Sequence, residues 1–439
     1  MIAPARSAAY DVLRAVGTGK TDLASALARA RHRLADERDR ALAGEIATGT
    51  LRWQGAFDYI IAAFAGRPLQ KLDPEVIDIL RLTIFQLLHL DRVPASAAVK
   101  DAVDMAGRAG KRSASGLVNA LLRRVTRERS RLPLPARPDH PDDRAAALAY
   151  LSITLSHPEW LVSRWLDRYG FTETEAWARF NNAPAPLALR ANRLTITRTE
   201  LATALAKGGI ETAPSTLAPD ALIVRRGNPL ATPLHDQGVF FVQDEASQLV
   251  GGFAAAHPGE RILDVCASPG GKTTGMAASM GGQGLVVASD VRARRVGLLA
   301  QTVRRSGATN VRLVQADASL PLPFNPVFDR VLLDAPCSGL GTVRRDPDIK
   351  WRRHREDLAP LARGQVAMLE HAAAVVTEGG NLIYATCSSE PEENDGVVET
   401  FLGRHPEFQL TGEPFRTLPF RDGLEAFFAA MLVKTKDLR

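Results

Sequence analysis

Cysteine is scarce in this chain of 439 residues: there are three, widely spaced, with no Cys-x-x-Cys pair. That excludes a disulfide framework and a zinc site built on paired thiols, so free thiols in a reducing compartment and no metal are expected. Long apolar runs are missing too. None approaches the ~20 residues that a membrane span needs, and the start Met1-Ile-Ala-Pro-Ala-Arg6 lacks the apolar core of a secretory signal. A cytoplasmic protein without membrane association is expected. Internal repeats and low-complexity tracts are absent as well, and 45% apolar with 24% charged residues is an ordinary globular balance.

The length exceeds that at which one core stops growing, so two or three domains are expected. From Ala5 to Glu128 apolar residues recur at helical spacing, as in Ala9, Val12, Leu13 and Val16, or Leu117, Val118, Leu121 and Leu122. Breaks at Ala65–Pro68 and Asp91–Pro94 separate the helices, and Asp73-Pro74 reads as a cap followed by a first-turn proline. This predicts an all-α bundle over residues 1–135. Leu132–Pro141 carries four prolines and cannot continue a helix. Over 136–237, helices near Pro158–Tyr169, Glu173–Asn181 and Thr199–Lys207 accompany strands at Leu187–Asn192 and Ala221–Arg225, predicting a linker and a small α+β module.

From Gly238 to the end, strands alternate with helices. Strand candidates are Arg261–Val265, Gly284–Ser289, Val311–Gln315, Phe328–Leu333 and Asn381–Ala385, with a helix at Arg292–Ser306 ended by Gly307. This alternation predicts a parallel, doubly wound α/β sheet over 238–439. Each cysteine then stands just after a strand: Cys266, Cys337 and Cys387. Strand carboxyl ends are where such sheets bind ligands, and thiolates are strong nucleophiles, so a covalent mechanism is suggested.

The first of these strands leads into Cys266-Ala267-Ser268-Pro269-Gly270-Gly271-Lys272. Two glycines ahead of a helix let backbone approach a ligand, but neither a P-loop nor a Gly-x-Gly-x-x-Gly pattern is present. A plain tight turn would read the same way. Acids end the next strands: Asp290, where a carboxylate typically meets ribose hydroxyls, then Asp317 and Asp334. Each alone could cap a helix. Four strand ends bearing a glycine turn and three acids make a nucleoside cofactor the better joint explanation.

The net charge is +6, and arginines and lysines gather in three clusters: Arg123–Arg131, Arg292–Arg305 and Arg344–Arg355. Any one could be a solvated helix face; together they lean toward a polyanion partner. The third, which includes Trp351, is positioned in the sequence for phosphates and one stacked base.

Asp264-Val-Cys-Ala-Ser-Pro-Gly-Gly-Lys-Thr273, Asp334-Ala-Pro-Cys-Ser-Gly339, Tyr384-Ala-Thr-Cys-Ser388 and Gly238-Val-Phe-Phe-Val-Gln-Asp-Glu-Ala-Ser247 together resemble the Sun-type RNA cytosine-5 methyltransferases. The resemblance covers nearly the whole chain, with Gly49–Arg52 and Val118–Arg123 resembling a NusB-like helical part. It implies a NusB-like RNA-binding bundle, a small RNA-binding module and a Rossmann-like class I methyltransferase domain. It further implies S-adenosyl-L-methionine bound by Cys266–Lys272, with Asp290 on the ribose, Asp317 near the adenine and Asp334 between cofactor and base. Small-subunit ribosomal RNA is the implied substrate, with tRNA the nearer rival and a non-catalytic antitermination-type RNA binder the remoter one. A monomer with no obligate protein partner is expected. Where relatives commonly have Asp-Gly-Phe-Phe, this chain has Glu425-Ala-Phe-Phe428, a departure expected to touch no catalytic group.

Carbon 5 of cytosine is too weak a nucleophile to take a methyl group unaided; thiolate addition at carbon 6 makes it an enamine. A base must then remove the carbon 5 proton, and an acid near nitrogen 3 assists addition. DNA cytosine-5 methyltransferases attack with a Pro-Cys cysteine, which would favour Cys337, whereas the Sun-type enzymes use the Thr-Cys-Ser cysteine. The resemblance therefore implies Cys387 as nucleophile, Cys337 in product release, Asp334 on the base, and Lys272 orienting Asp334. Cys266 is left with backbone contact and packing. An unstacked, looped RNA suits a base that a thiol must reach.

Overall fold

In a computed structural model, residues 2–435 are described. They divide into two compact units, one running to Pro184 and including Val343–Arg355, the other comprising Ala185–Thr342 and the chain from Glu356 onward.

The first unit is helical. Helix Pro74–His89 lies at its centre, with Val76, Ile79, Leu80, Leu82 and Ile84 wholly buried. Each such side chain contributes roughly 1.5–3 kcal/mol by leaving water. Helix Glu37–Arg52 packs on it through Gly49, where an added Cβ would lie 2.0 Å from the Phe85 ring. Pro74 opens the central helix, but the Asp73 side chain does not cap it and instead pairs with Lys111 at 2.9 Å. The proline-rich stretch forms no regular element and is pinned by Arg137, whose guanidinium donates to Glu175 at 2.9 and 3.0 Å. Beyond it, Glu159–Asn182 is helical with a break at Gly170, whose φ of 77° ends the first of the two expected helices.

The second unit holds two sheets. In the smaller, β1 (Ala188–Ala191), β2 (Glu211–Pro214), β3 (Ala221–Arg226) and β4 (Phe240–Val242) run antiparallel in the order β2-β3-β1-β4. The Thr197/Glu200 capping box starts its helix, Arg198–Lys207. β4 follows residue 237, the expected end of this module, yet pairs with β1.

The larger sheet comprises β5 (Arg261–Val265), β6 (Leu285–Asp290), β7 (Val311–Gln315), β8 (Phe328–Asp334), β9 (Val376–Thr386), β10 (Phe408–Leu410), β11 (Phe415–Arg416) and β12 (Phe428–Lys434). Its order is β10-β12-β9-β8-β5-β6-β7, with β11 beside β12. Strands β5 to β9 are parallel, as expected; β12 runs antiparallel to β9, and β10 and β11 antiparallel to β12, so the sheet is mixed. This is a Rossmann-like arrangement with an antiparallel edge. The chain reverses direction across the sheet between β5 and β8, and the crevice beyond their carboxyl ends is the ligand position of such folds.

Candidate active site

The turn after β5 uses unusual backbone. Cys266 has φ 62°, and Gly270 has φ 104° with Leu299 Cδ1 2.8 Å from where a Cβ would sit. Glycine is needed at 270 on both counts. Two bonds tie the turn to β6: Ala267 N–H donates to the Ser289 carbonyl (2.8 Å) and Ser268 N–H to Asp290 Oδ2 (3.3 Å). Helix Gly271–Ser279 follows. Asp264 lies wholly buried beneath it, accepting from Thr273 Oγ1 at 2.6 Å while its other oxygen has no partner. Burial pushes its pKa up to about 7; the Thr273 bond opposes this, and the Asp334 carboxylate adds to it.

Asp290 is buried, with Arg295 Nε 3.4 Å from its carboxylate. Asp334 ends β8 and accepts from Lys272 Nζ at 2.7 Å. Burial is the largest influence and works against the Lys272 ammonium, but the Asp334 carboxylate, the Cys387 sulfur and Asp264 together outweigh it, so the pKa is raised. Cys266, half-buried, is pushed up to about 12 by burial and then by Asp334, Asp290 and Asp264. Three carboxylates thus converge on the turn. Asp317 stands apart: it is exposed, and it accepts from Ser319 N–H (2.9 Å) and Oγ (2.7 Å) within its own turn.

Strands β8 and β9 pair with Asp334 opposite Ala385, which brings the loops after both strands together. Cys337 Sγ and Cys387 Sγ are 3.2 Å apart. That contact, burial and the Glu393 carboxylate hold the Cys337 thiol well above its usual range. Gly341 N–H donates to the Cys387 carbonyl (3.0 Å), and the Gly341 carbonyl accepts from Ala426 N–H (3.1 Å). A Cβ at position 341 would fall 1.9 Å from Ala426 O. Lys272 Nζ also stands 5.8 Å from the centre of the Phe427 ring. The Glu425–Phe428 departure therefore abuts the site, because β12 brings that loop back beside β9.

Two residues that the sequence reading passed over bind this region together. Arg190 on β1 is buried and donates to Gln243 Oε1 (2.6 Å), Thr274 Oγ1 (2.7 Å) and the Gly271 carbonyl, fixing the first turn of the helix after Cys266. Burial lowers its pKa to about 10. Glu393, wholly buried, accepts from the loops of both cysteines. Each reads locally as an ordinary charged residue, and only the partners, 50 or more residues away for Arg190, reveal its place.

Part of the third basic cluster is corrected by the structure, while Arg352 and Arg355 remain exposed. Lys350 is wholly buried, donating to the Arg52 carbonyl (2.9 Å), and burial drives its pKa well down. Trp351 Nε1 donates to the Leu51 carbonyl (2.6 Å), and Arg344 donates to the Ala183 and Pro184 carbonyls (3.3 and 2.7 Å). These side chains fasten Val343–Arg355 into the helical unit rather than offering a phosphate track. Among the described residues no cluster of three or more His, Cys, Asp or Glu is arranged to hold a metal, and no helix is long and apolar enough to cross a membrane.

Residues 253–433 match the family model described as 16S rRNA methyltransferase RsmB/F, 3–127 match the NusB family, and 157–231 match the ferredoxin-like domain of RsmF/B-like methyltransferases. The probable ribosomal RNA small subunit methyltransferase B of Bacillus subtilis is 37% identical over 88% of this chain and 86% of its own length. Ribosomal RNA small subunit methyltransferase B of Pseudomonas putida is 34% identical over 98% of both chains. The crystal structure of PH0851 matches with TM-score 0.81 and 27% identity over 99% of both chains; a methyltransferase homologue from Pyrococcus horikoshii matches at 0.58 and 27%, covering 66% of this chain and 99% of its own. The chain belongs to the RsmB/F family of 16S rRNA methyltransferases and is an S-adenosyl-L-methionine-dependent RNA methyltransferase.

Proposed function

We propose that this enzyme methylates carbon 5 of a cytosine in small-subunit ribosomal RNA through a covalent adduct between Cys387 and carbon 6. The observation that carries this reading is the 3.2 Å contact of two thiols in the loops after β8 and β9, with the Lys272–Asp334 ion pair joining the helix after β5 to the end of β8.

The residues at the turn suit a cationic nucleoside cofactor. Asp264, Asp290 and Asp334 all raise the Cys266 pKa and Arg295 lowers it, so more acids than cations face the Cys266 end of the turn. Cys266–Lys272 would hold S-adenosyl-L-methionine, with Asp290 on the ribose, Asp317 near the adenine and Asp334 toward the base. When bound, it supplies an electrophilic methyl group to the crevice.

The Cys387 thiolate adds to carbon 6, forming the C–S bond while Asp334, fixed by Lys272, supports protonation of nitrogen 3. Electron density moves onto carbon 5, which takes the methyl group. A water then takes the carbon 5 proton, the C–H pair becomes the C5–C6 double bond, and the C–S pair leaves on the Cys387 sulfur, which the Cys337 S–H stabilises by hydrogen bonding without giving up its proton. Two sulfurs held in contact suit these two steps in order.

The test maps 5-methylcytosine in total RNA from cells with and without the enzyme. One small-subunit rRNA cytosine losing its methyl group supports the reading. Loss confined to tRNA would overturn the substrate, and an unchanged map the activity.

A further inference from the structure

A buried carboxylate is expensive unless its oxygens are satisfied. Glu393 is wholly buried, and the donors that reach it are neutral. Its Oε1 accepts from Ser338 N–H (2.8 Å) and Gln365 Nε2 (2.9 Å); its Oε2 accepts from Ser388 Oγ (2.5 Å). Its backbone is held as well, because the Tyr384 hydroxyl donates to the Glu393 carbonyl at 2.5 Å. Ser338 directly follows Cys337 and Ser388 directly follows Cys387, and the two serine hydroxyls lie 3.1 Å from each other. One carboxylate thus grips the residue next to each reactive thiol. Bonds to a charged acceptor are shorter and about twice as strong as neutral ones, which suits a clamp that must hold two loops in register.

The geometry points to Glu393 as a positioning residue that sets the separation of the Cys337 and Cys387 thiols and so couples attack to release. This rests on the ordered two-cysteine reading above. Glu393 touches neither base nor cofactor in this role; it acts through the serines. A displacement of about 1 Å in such a constellation can cost a hundredfold in rate.

The thiol separation can be read without RNA. Diamide removes two electrons and two protons from a thiol pair, being reduced to the hydrazine while one S–S bond forms; once diamide is high enough for its addition to the first thiol to be fast, the rate is that of the second thiol attacking the adduct sulfur, a step that needs the two sulfurs within reach. The rate of Cys337–Cys387 disulfide formation, followed by mass spectrometry of the full-length protein, is the ruler. Glu393→Ala should slow it at least tenfold. Glu393→Gln, which keeps an acceptor for Ser338 N–H and can donate to Ser388 Oγ, should stay within about threefold of wild type or exceed it. The sign is diagnostic: removing negative charge near Cys337 favours its thiolate and by itself speeds oxidation, so slowing reports distance. A wild-type rate in Glu393→Ala, or Glu393→Gln as slow as Glu393→Ala, would overturn the inference. Where Glu393→Ala does not fold, Ser388→Ala takes its place; it should be two- to fivefold slower, and a wild-type rate overturns the inference.

Methylation assays separate this inference from the reading beneath it. Slowed oxidation in Glu393→Ala, with no covalent RNA adduct in any cysteine variant, leaves the clamp standing and removes the covalent order. An adduct through Cys387 together with undisturbed oxidation does the reverse.

Discussion

Lys272 Nζ lies 2.7 Å from Asp334 Oδ2, joining the helix that follows β5 to the end of β8 across the switch point. The lysine is nearly buried and the aspartate about one-third exposed, so the pair ranks below a fully buried one. Removing one partner should cost about 2–3 kcal/mol at the lower end of such pairs, or roughly 30- to 150-fold in kcat/KM. Lys272→Ala is expected to show this loss in steady-state methylation, with Lys272→Arg recovering part of it. Unchanged kinetics in Lys272→Ala would remove the ion pair from the chemistry.

Asp264 gives a pH signature. Its folded pKa of about 7 exceeds the ordinary 3.8, so between these values the folded state binds more protons than the unfolded, and stability falls as pH rises through that window. The shift corresponds to about 4 kcal/mol lost by pH 8. Asp264→Asn should flatten the difference between urea midpoints at pH 5 and pH 8. An unaltered difference would mean that another group sets the slope.

Arg190 should matter to a cofactor it need not touch. Its bonds to Gln243, Thr274 and the Gly271 carbonyl fix the helix that opens beside the Cys266 turn, and Gly275 leaves room for it, since a Cβ there would lie 2.7 Å from Arg190 Nη1. Arg190→Met is expected to lower stability by about 2–3 kcal/mol and to weaken S-adenosyl-L-methionine binding at least tenfold by calorimetry. Arg190→Lys, which cannot span three acceptors, should fall between. Wild-type affinity in a folded Arg190→Met would contradict the coupling.

Deleting residues 1–135 should do more than impair RNA selection. It removes Leu51 and Arg52, whose carbonyls receive Trp351 and Lys350, and Leu23, whose N–H donates to buried Asp348 at 3.3 Å. Limited trypsinolysis is expected to cleave the truncated chain within Arg344–Arg355 while the full chain resists there. Equal resistance would show that this segment holds itself.

Much of the methyltransferase core is legible because its signals are local. Apolar runs give β5 and β7 to the residue and β6 and β8 to within one, and Gly307 ends its helix in the left-handed conformation. What escapes is long-range. Phe428–Lys434 has no local mark of running antiparallel to β9, and the Gly379-Gly380 pair hides the early part of β9 by looking like a turn. Gly380 is small there because a Cβ would lie 3.0 Å from Asp329 O. Likewise, Lys350 reads as one more exposed cation until the Arg52 carbonyl, 298 residues away, is found beside it. Within the site, the strand ends, the glycine turn and the thiols are visible in the motifs; the distance between the thiols and the carboxylate spanning them belong to the fold.

The order of the two cysteines is the centre of the account, and trapping tests it most directly. Cys337→Ala and Cys387→Ala are each incubated with small-subunit rRNA and S-adenosyl-L-methionine and run on a denaturing gel. Cys337→Ala should accumulate a denaturant-resistant protein–RNA species because attack proceeds and release fails, while Cys387→Ala should give neither adduct nor methylation. An adduct in Cys387→Ala and none in Cys337→Ala would reverse the roles and contradict the account.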